Sequence, residues 1–167
     1  MPPLLVAITL LLGLVVGSFL NVCILRIPAR ESIAFPASHC PKCGTPIKPY
    51  DNIPVLSWLV LRGRCRSCKA PISPMYPIVE FLTGALFVAC LYEFGAGLAT
   101  LKWAAFCAIL VVLAVTDIRE RILPDRVNLA GALLGLAFSG FVRVGDGTAL
   151  WLSHQMFTYP PPWRITH

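Results

Sequence analysis

The sequence predicts an α-helical polytopic membrane protein, with about four transmembrane helices and a small polar, cysteine-bearing insert after the first. Three observations carry this prediction. Hydrophobic residues fill 57% of the 167 positions and charged residues only 13%, against roughly a quarter charged in soluble domains. Four apolar runs recur, each at or near the length that crosses a bilayer. The net charge of +6 is gathered in one stretch. Residues 26–69 hold eight basic side chains (Arg26, Arg30, Lys42, Lys48, Arg62, Arg64, Arg66, Lys69) against Glu31 and Asp51, so the rest of the chain is neutral overall. Such hydrophobicity excludes intrinsic disorder and leaves too little polar surface for an ordinary soluble enzyme. The length suits one compact unit, and no internal repeat is evident in it.

The first element is residues 4–25, which carry no formal charge. A cleavable signal peptide is the rival reading, but it needs a basic start, and no Lys or Arg precedes Arg26. Residues 1–25 are therefore assigned to transmembrane helix 1 and residues 26–74 to the basic insert. Residues 75–142 carry helices 2–4, in apolar runs at 75–94, 97–116 and 127–142. The last run is the shortest of the four, and it spans only if flanking side chains snorkel or the bilayer thins. Residues 143–167 form an atypical tail.

Orientation follows from the basic loops. The strongly positive insert belongs in the cytoplasm by the positive-inside rule, which places the N-terminus outside. Helix 2 then goes out and helix 3 returns. The loop after helix 3 contains Arg119, Arg121 and Arg126. It falls on the cytoplasmic side by a count that did not use it.

The insert contains two pairs, Cys40-Pro41-Lys42-Cys43 and Cys65-Arg66-Ser67-Cys68, separated by the stretch 44–64. Two Cys-x-x-Cys turns can set four thiolates at the corners of a tetrahedron, the arrangement that zinc favours. Cys40, Cys43, Cys65 and Cys68 are the candidate metal ligands of a zinc-ribbon-like insert. Such zinc is structural, because four protein ligands leave no position for water. Surrounding cations would offset the site's negative charge. Two disulfides are the alternative, disfavoured in a reducing cytoplasm. His39 is read as a polar loop residue, since four cysteines already complete the site. Cys23, Cys90 and Cys107 lie in apolar runs and read as small buried hydrophobes. A basic zinc ribbon can bind nucleic acid, but tethering between membrane helices argues against it, and no nucleic-acid partner is expected.

Ionisable residues at membrane depth are costly and often functional. Asp117 ends the third run and is expected at the cytoplasmic boundary, partly desolvated. It is a candidate for aspartic-protease chemistry, in which one ionised carboxylate activates water and a protonated one donates to the carbonyl. Pairing with Arg119 or Arg121 is the alternative. Asp125, after Pro124, reads as the N-cap of helix 4. Glu80, one turn inside helix 2, fits snorkelling, pairing with a loop arginine, or catalysis.

These residues resemble the N-terminal part of the type IV prepilin peptidases, the bacterial membrane aspartic proteases. Four segments, within residues 15–130, carry the resemblance in the expected order. Gly17-Ser18-Phe19-Leu20-Asn21-Val22 comes first. The stretch from Ser38-His39-Cys40 to Cys68 follows, with Asn52-Ile53-Pro54 and Ser57-Trp58-Leu59 inside it. Next is Ile72-Ser73-Pro74-Met75-Tyr76-Pro77-Ile78-Val79-Glu80-Phe81-Leu82-Thr83. Last is Asp117 with Pro124-Asp125.

The resemblance implies a multi-pass protein of the bacterial inner membrane that cuts basic leader peptides from type IV prepilins or pseudopilins on the cytoplasmic side. It also implies N-methylation of the new terminus with S-adenosylmethionine, an activity associated with the cysteine insert. Asp117 matches the first catalytic aspartate. The family's second aspartate lies in Gly-x-Gly-Asp-x-Lys, near the start of a later helix. Here the candidate is Asp146 in Val144-Gly145-Asp146-Gly147-Thr148, which follows Asp117 far sooner than the family's spacing allows. It lacks the first glycine and the lysine. If the fourth run crosses the membrane, its rise of about 24 Å puts Asp146 on the opposite face.

The expectation is therefore a chain that lacks the second aspartate, ends in a truncated or frame-shifted tail, and is inactive as a protease by itself. His154 and His167 in that tail are incidental. A non-catalytic assembly factor that binds prepilins or secretion partners through the zinc insert is the alternative. An isolated methyltransferase is a weaker one, since no Gly-rich cofactor loop follows a strand. The sequence does not set the oligomeric state.

Overall fold

The computed structural model describes residues 1–121 and 124–141. Among them the chain is helical, with no named strand. The order is α1 (Pro3–Arg26), a single 3-10 turn (Pro49–Asp51), α2 (Leu56–Val60), α3 (Met75–Phe94), α4 (Leu98–Glu120) and α5 (Asp125–Phe141). Of these, α1, α3 and α4 are long and apolar enough to cross a membrane. The fourth expected run is helical, as α5, but at 17 residues it is shorter than those three and is not among the helices long and apolar enough to cross.

The helices run alternately up and down, so the C-terminal ends of α1 and α4 share one end of the bundle with the N-terminal ends of α3 and α5. The buried core gathers there. It joins Leu20, Cys23 and Ile24 of α1 to Val79 of α3, Val111, Val112 and Val115 of α4, and Val127 of α5. In lipid there is no hydrophobic drive between apolar helices, so association relies on close packing of small residues. Gly13 and Gly17 of α1, one turn apart, provide it against α3. A Cβ on Gly13 would stand 2.7 Å from Gly84 Cα, and one on Gly17 the same distance from Glu80 Cα. That Gly13-x-x-x-Gly17 pattern was in the sequence, but it acquires meaning only with a partner helix beside it.

Two polar side chains inside the bundle find backbone acceptors there. Asn21 Nδ2 donates to the Tyr76 carbonyl at 3.1 Å, and the Thr83 hydroxyl donates to the Val79 carbonyl at 2.7 Å. Cys23 and Cys90 are buried as expected, and Cys107 is half-buried with its sulfur 3.9 Å from that of Cys90.

Glu80 corrects the sequence reading. It neither snorkels nor meets an arginine. Its carboxylate is buried and accepts the Val55 backbone N–H at 2.7 Å. Val55 has φ +61° and ψ −50°, and the Leu56 N–H reaches back to the Pro54 carbonyl at 2.6 Å. This is a γ-turn of the strained hand, at a β-branched residue that disfavours positive φ. The contact joins the insert to the bundle.

Asp125 is likewise not the cap. The Pro124 carbonyl accepts the Val127 and Asn128 N–H groups at 3.0 and 3.2 Å, and Asp125 sits inside the first turn of α5. There its charge still complements the helix dipole. The tail from 143 to 167, with Asp146, His154 and His167, lies outside the described residues.

Candidate functional site

Two groups of residues stand at the insert end of the bundle: the four cysteines and Asp117. The cysteines are brought together by two turns with matching backbone hydrogen bonds. In the first, the Cys40 N–H donates to the Thr45 carbonyl at 3.0 Å and the Gly44 N–H to the Cys40 carbonyl at 2.9 Å. In the second, the Cys65 N–H donates to Ala70 at 2.8 Å and the Lys69 N–H to Cys65 at 3.1 Å. A bridge closes each, His39 with Pro46 and Arg64 with Pro71. The Ile47 N–H meets the Ser38 carbonyl as the Ile72 N–H meets that of Gly63, at 2.8 and 2.7 Å.

Every partner in the first turn has its counterpart in the second at one constant offset, the step from Cys40 to Cys65. The insert is thus a duplicated Cys-x-x-Cys-x-x-Pro-Ile unit, Cys40 to Ile47 and Cys65 to Ile72. The expectation of no internal repeat fails because the unit is so short. The turn position after the second cysteine is left-handed in both copies, φ +67° at Gly44 and +57° at Lys69. Glycine takes it freely, and lysine does so at a cost.

All four sulfurs lie within 4.8 Å of one another, with Cys40 and Cys68 at 3.8 Å. Zinc–sulfur bonds of about 2.3 Å set tetrahedral sulfurs about 3.8 Å apart, so the donor set and spacing fit a closed zinc centre. The acid–base asymmetry agrees with a centre that needs a cation. Thr45, through its side chain and backbone, pulls Cys43 down to about 6. The Cys68 and Ser67 backbone amides lower Cys65. The Ala70 amide favours the Cys68 thiolate, but desolvation and the neighbouring sulfurs push that thiol up to about 11. Thiolates this close repel one another, and a cation held among them would relieve that repulsion.

The rest of the insert wraps this centre with polar links. Asp51 receives Arg66 in a two-pronged pair, with contacts of 2.6 to 3.0 Å. Trp58 Nε1 donates to the Ile72 carbonyl at 3.2 Å, and its ring lies so close over Gly63 that a Cβ there would stand 2.9 Å away. Arg26, at the end of α1, donates to the Ser32 and Pro36 carbonyls at 2.9 and 2.8 Å. His39 stays exposed, with Nδ1 beside the Ala37 carbonyl.

Asp117 lies in the last turn of α4, where its carbonyl accepts the Arg121 N–H at 2.8 Å. Its side chain is left uncovered by the described residues. The expected alternative, a pair with Arg119 or Arg121, is not formed; Arg66–Asp51 is the ion pair among the described residues. Thr116, beside it, is fully buried and its hydroxyl has no partner among the described residues. A carboxylate left unpaired at the end of a membrane helix is free to meet a second group.

Residues 11–94 match the family model of the bacterial peptidase A24 N-terminal domain, and residues 104–159 match that of the type IV leader peptidase family. Among curated proteins, a prepilin leader peptidase/N-methyltransferase of Myxococcus xanthus is 48% identical over 82% of this chain and 41% of its own length. Proteins of the same name from Aeromonas hydrophila and Neisseria gonorrhoeae are 39% and 37% identical, over 87% and 90% of this chain and 60% and 65% of their own. The chain thus spans roughly half the length of these relatives. No solved structure matches it.

Proposed function

Because this chain belongs to the type IV leader peptidase family, we propose that it works in the cytoplasmic-side cleavage of leader peptides from type IV prepilins or pseudopilins. One observation carries this reading: Asp117 stands exposed and unpaired at the end of the bundle that also bears the cysteine insert. In that position it can hold or release a proton toward a peptide bond at the membrane surface. Asp117 supplies one of the two carboxylates that aspartic chemistry requires. The second motif, Gly-x-Gly-Asp-x-Lys, does not occur in the 167 residues. A lone carboxylate cannot act as both base and acid. We therefore expect cleavage only when a segment carrying the second motif is supplied.

Cys40, Cys43, Cys65 and Cys68 would hold a structural zinc ion that fixes the insert and takes no part in bond cleavage. The relatives' names also carry N-methyltransferase. S-adenosylmethionine is the methyl donor proposed for that step, at a site to which no residue of this chain is assigned. The proposed setting is the bacterial inner membrane, with the N-terminus outside and the insert in the cytoplasm.

The test is to reconstitute the chain with a prepilin, alone and with a co-expressed segment containing the second motif, and to look for a shortened product. Cleavage is expected in the second case and lost by several orders of magnitude in Asp117→Asn. Undiminished cleavage by Asp117→Asn would remove Asp117 from the reaction. Binding of prepilin without cleavage in either case would favour the assembly-factor reading.

A further inference from the structure

Two cavities of different character lie near the short helix α2. One is a cleft of about 550 Å³ lined by Arg62, Arg64, Arg66 and Lys69 together with the candidate metal ligand Cys65, with Val60 and Leu61 at its edge. The other is a groove of about 530 Å³ that is almost wholly apolar, between Trp58 and the face of α3 that runs from Pro74 through Ile78 and Phe81 to Ala85. The groove fixes the depth of the pair. Its lining starts at Pro74, just before a helix long and apolar enough to span a membrane, and reaches Ala85 three turns along it, so Trp58 of α2 lies by the end of that helix and the groove leads inward from there. Leu56, Leu59 and Val60 of α2 are 60%, 57% and 75% exposed, an apolar edge that suits an interface and not bulk water.

Arg66 pairs with Asp51, but Arg62, Arg64 and Lys69 meet no acidic partner among the described residues. Two of them are held in place at a conformational cost, with φ +53° at Arg62 and +57° at Lys69. Three such cations at headgroup depth, beside an apolar groove that continues toward the membrane interior, are complementary to one kind of molecule.

We propose that the cleft around Arg62, Arg64 and Lys69 binds the phosphate of an anionic phospholipid, with an acyl chain lying in the groove between Trp58 and α3. The lipid would seat the insert on the bilayer at a defined depth. This inference rests on the membrane assignment of α3 and not on the peptidase reading. Neutralisation of the zinc thiolates is the competing use of the same cations, and the test separates the two.

The full chain is purified in detergent and titrated with short-chain phosphatidylglycerol, phosphatidylcholine or inorganic phosphate. Bound lipid is counted by native mass spectrometry and zinc by elemental analysis. Phosphatidylglycerol is expected to bind in preference to phosphatidylcholine. Arg62→Gln/Arg64→Gln/Lys69→Gln is expected to weaken it roughly 100-fold, given the contribution of each basic residue near an anionic surface, with zinc content unchanged. Arg30→Gln/Lys42→Gln, which removes two cations of the insert that do not line the cleft, is expected to leave phosphatidylglycerol binding within a few-fold of wild type.

Equal binding of the two lipids, or equal losses in the two variants, would overturn a specific site. Full competition by inorganic phosphate would make it a free-anion site instead. Loss of zinc from the triple variant would assign the cations to the metal centre.

Discussion

The bundle and the insert solve the same problem, holding a chain in one shape, by different means. In the bundle, buried residues from α1, α3, α4 and α5 meet in one core, and two glycines bring α1 and α3 into backbone contact. In the insert, between residues 27 and 74, only Cys40 and Gly63 are buried. A segment with so little core cannot repay its ordering entropy by apolar burial and needs a staple. Four converging thiols, a two-pronged Asp51–Arg66 pair and a duplicated turn take the place of a core. A membrane helix draws its order from its surroundings, whereas a polar loop at the surface must carry its own.

The sharpest way to break this comparison is to remove the staple. Chelating the metal, or changing Cys40 and Cys65 to serine, should unfold the insert, since structural zinc contributes on the order of 10 kcal/mol or more to such modules. Limited proteolysis should then cut between residues 27 and 74 while circular dichroism retains the helices. Helices lost together with the insert would show that the two regions fold as one unit.

The reciprocal experiment loads the bundle. Gly17→Leu would drive a side chain into the Glu80 backbone and Thr83, an overpacking cost of about 1–3 kcal/mol or more. Thermal denaturation should begin at a lower temperature while zinc content holds. Loss of zinc at the same temperature would mean that helix packing sets the cysteine geometry.

The smallest effect lies at the joint. Glu80→Ala leaves the Val55 N–H without its acceptor, at about 1–3 kcal/mol. Glu80→Gln keeps an acceptor oxygen and should cost less. Hydrogen exchange at the Val55 amide should accelerate in that order. Equal protection in both variants would show that the strained turn holds itself without the bundle.

Much of this architecture was legible in advance, because it rests on short-range patterns. Apolar runs of bilayer length became α1, α3 and α4, and the paired Cys-x-x-Cys spacing became a four-sulfur cluster. The short duplication was also written in the chain. It does not stand out there because its shared letters are few and its identity lies in backbone hydrogen bonds. Glu80 was legible as unusual but not in its role, for nothing local relates a helix carboxylate to the backbone amide of a distant loop residue, Val55.

The sequence by itself determined the spans, the concentration of positive charge and the thiol quartet, since hydropathy, charge and ligand spacing act over a few residues or one helix. Only the tertiary structure decided which polar groups are buried, because burial depends on what packs against a side chain from elsewhere. Glu80, expected at an edge, is enclosed because Gly17 lets α1 lie directly on its backbone. Asp117 is left uncovered by the bundle because the last turn of α4 extends past the core formed by Val111, Val112 and Val115.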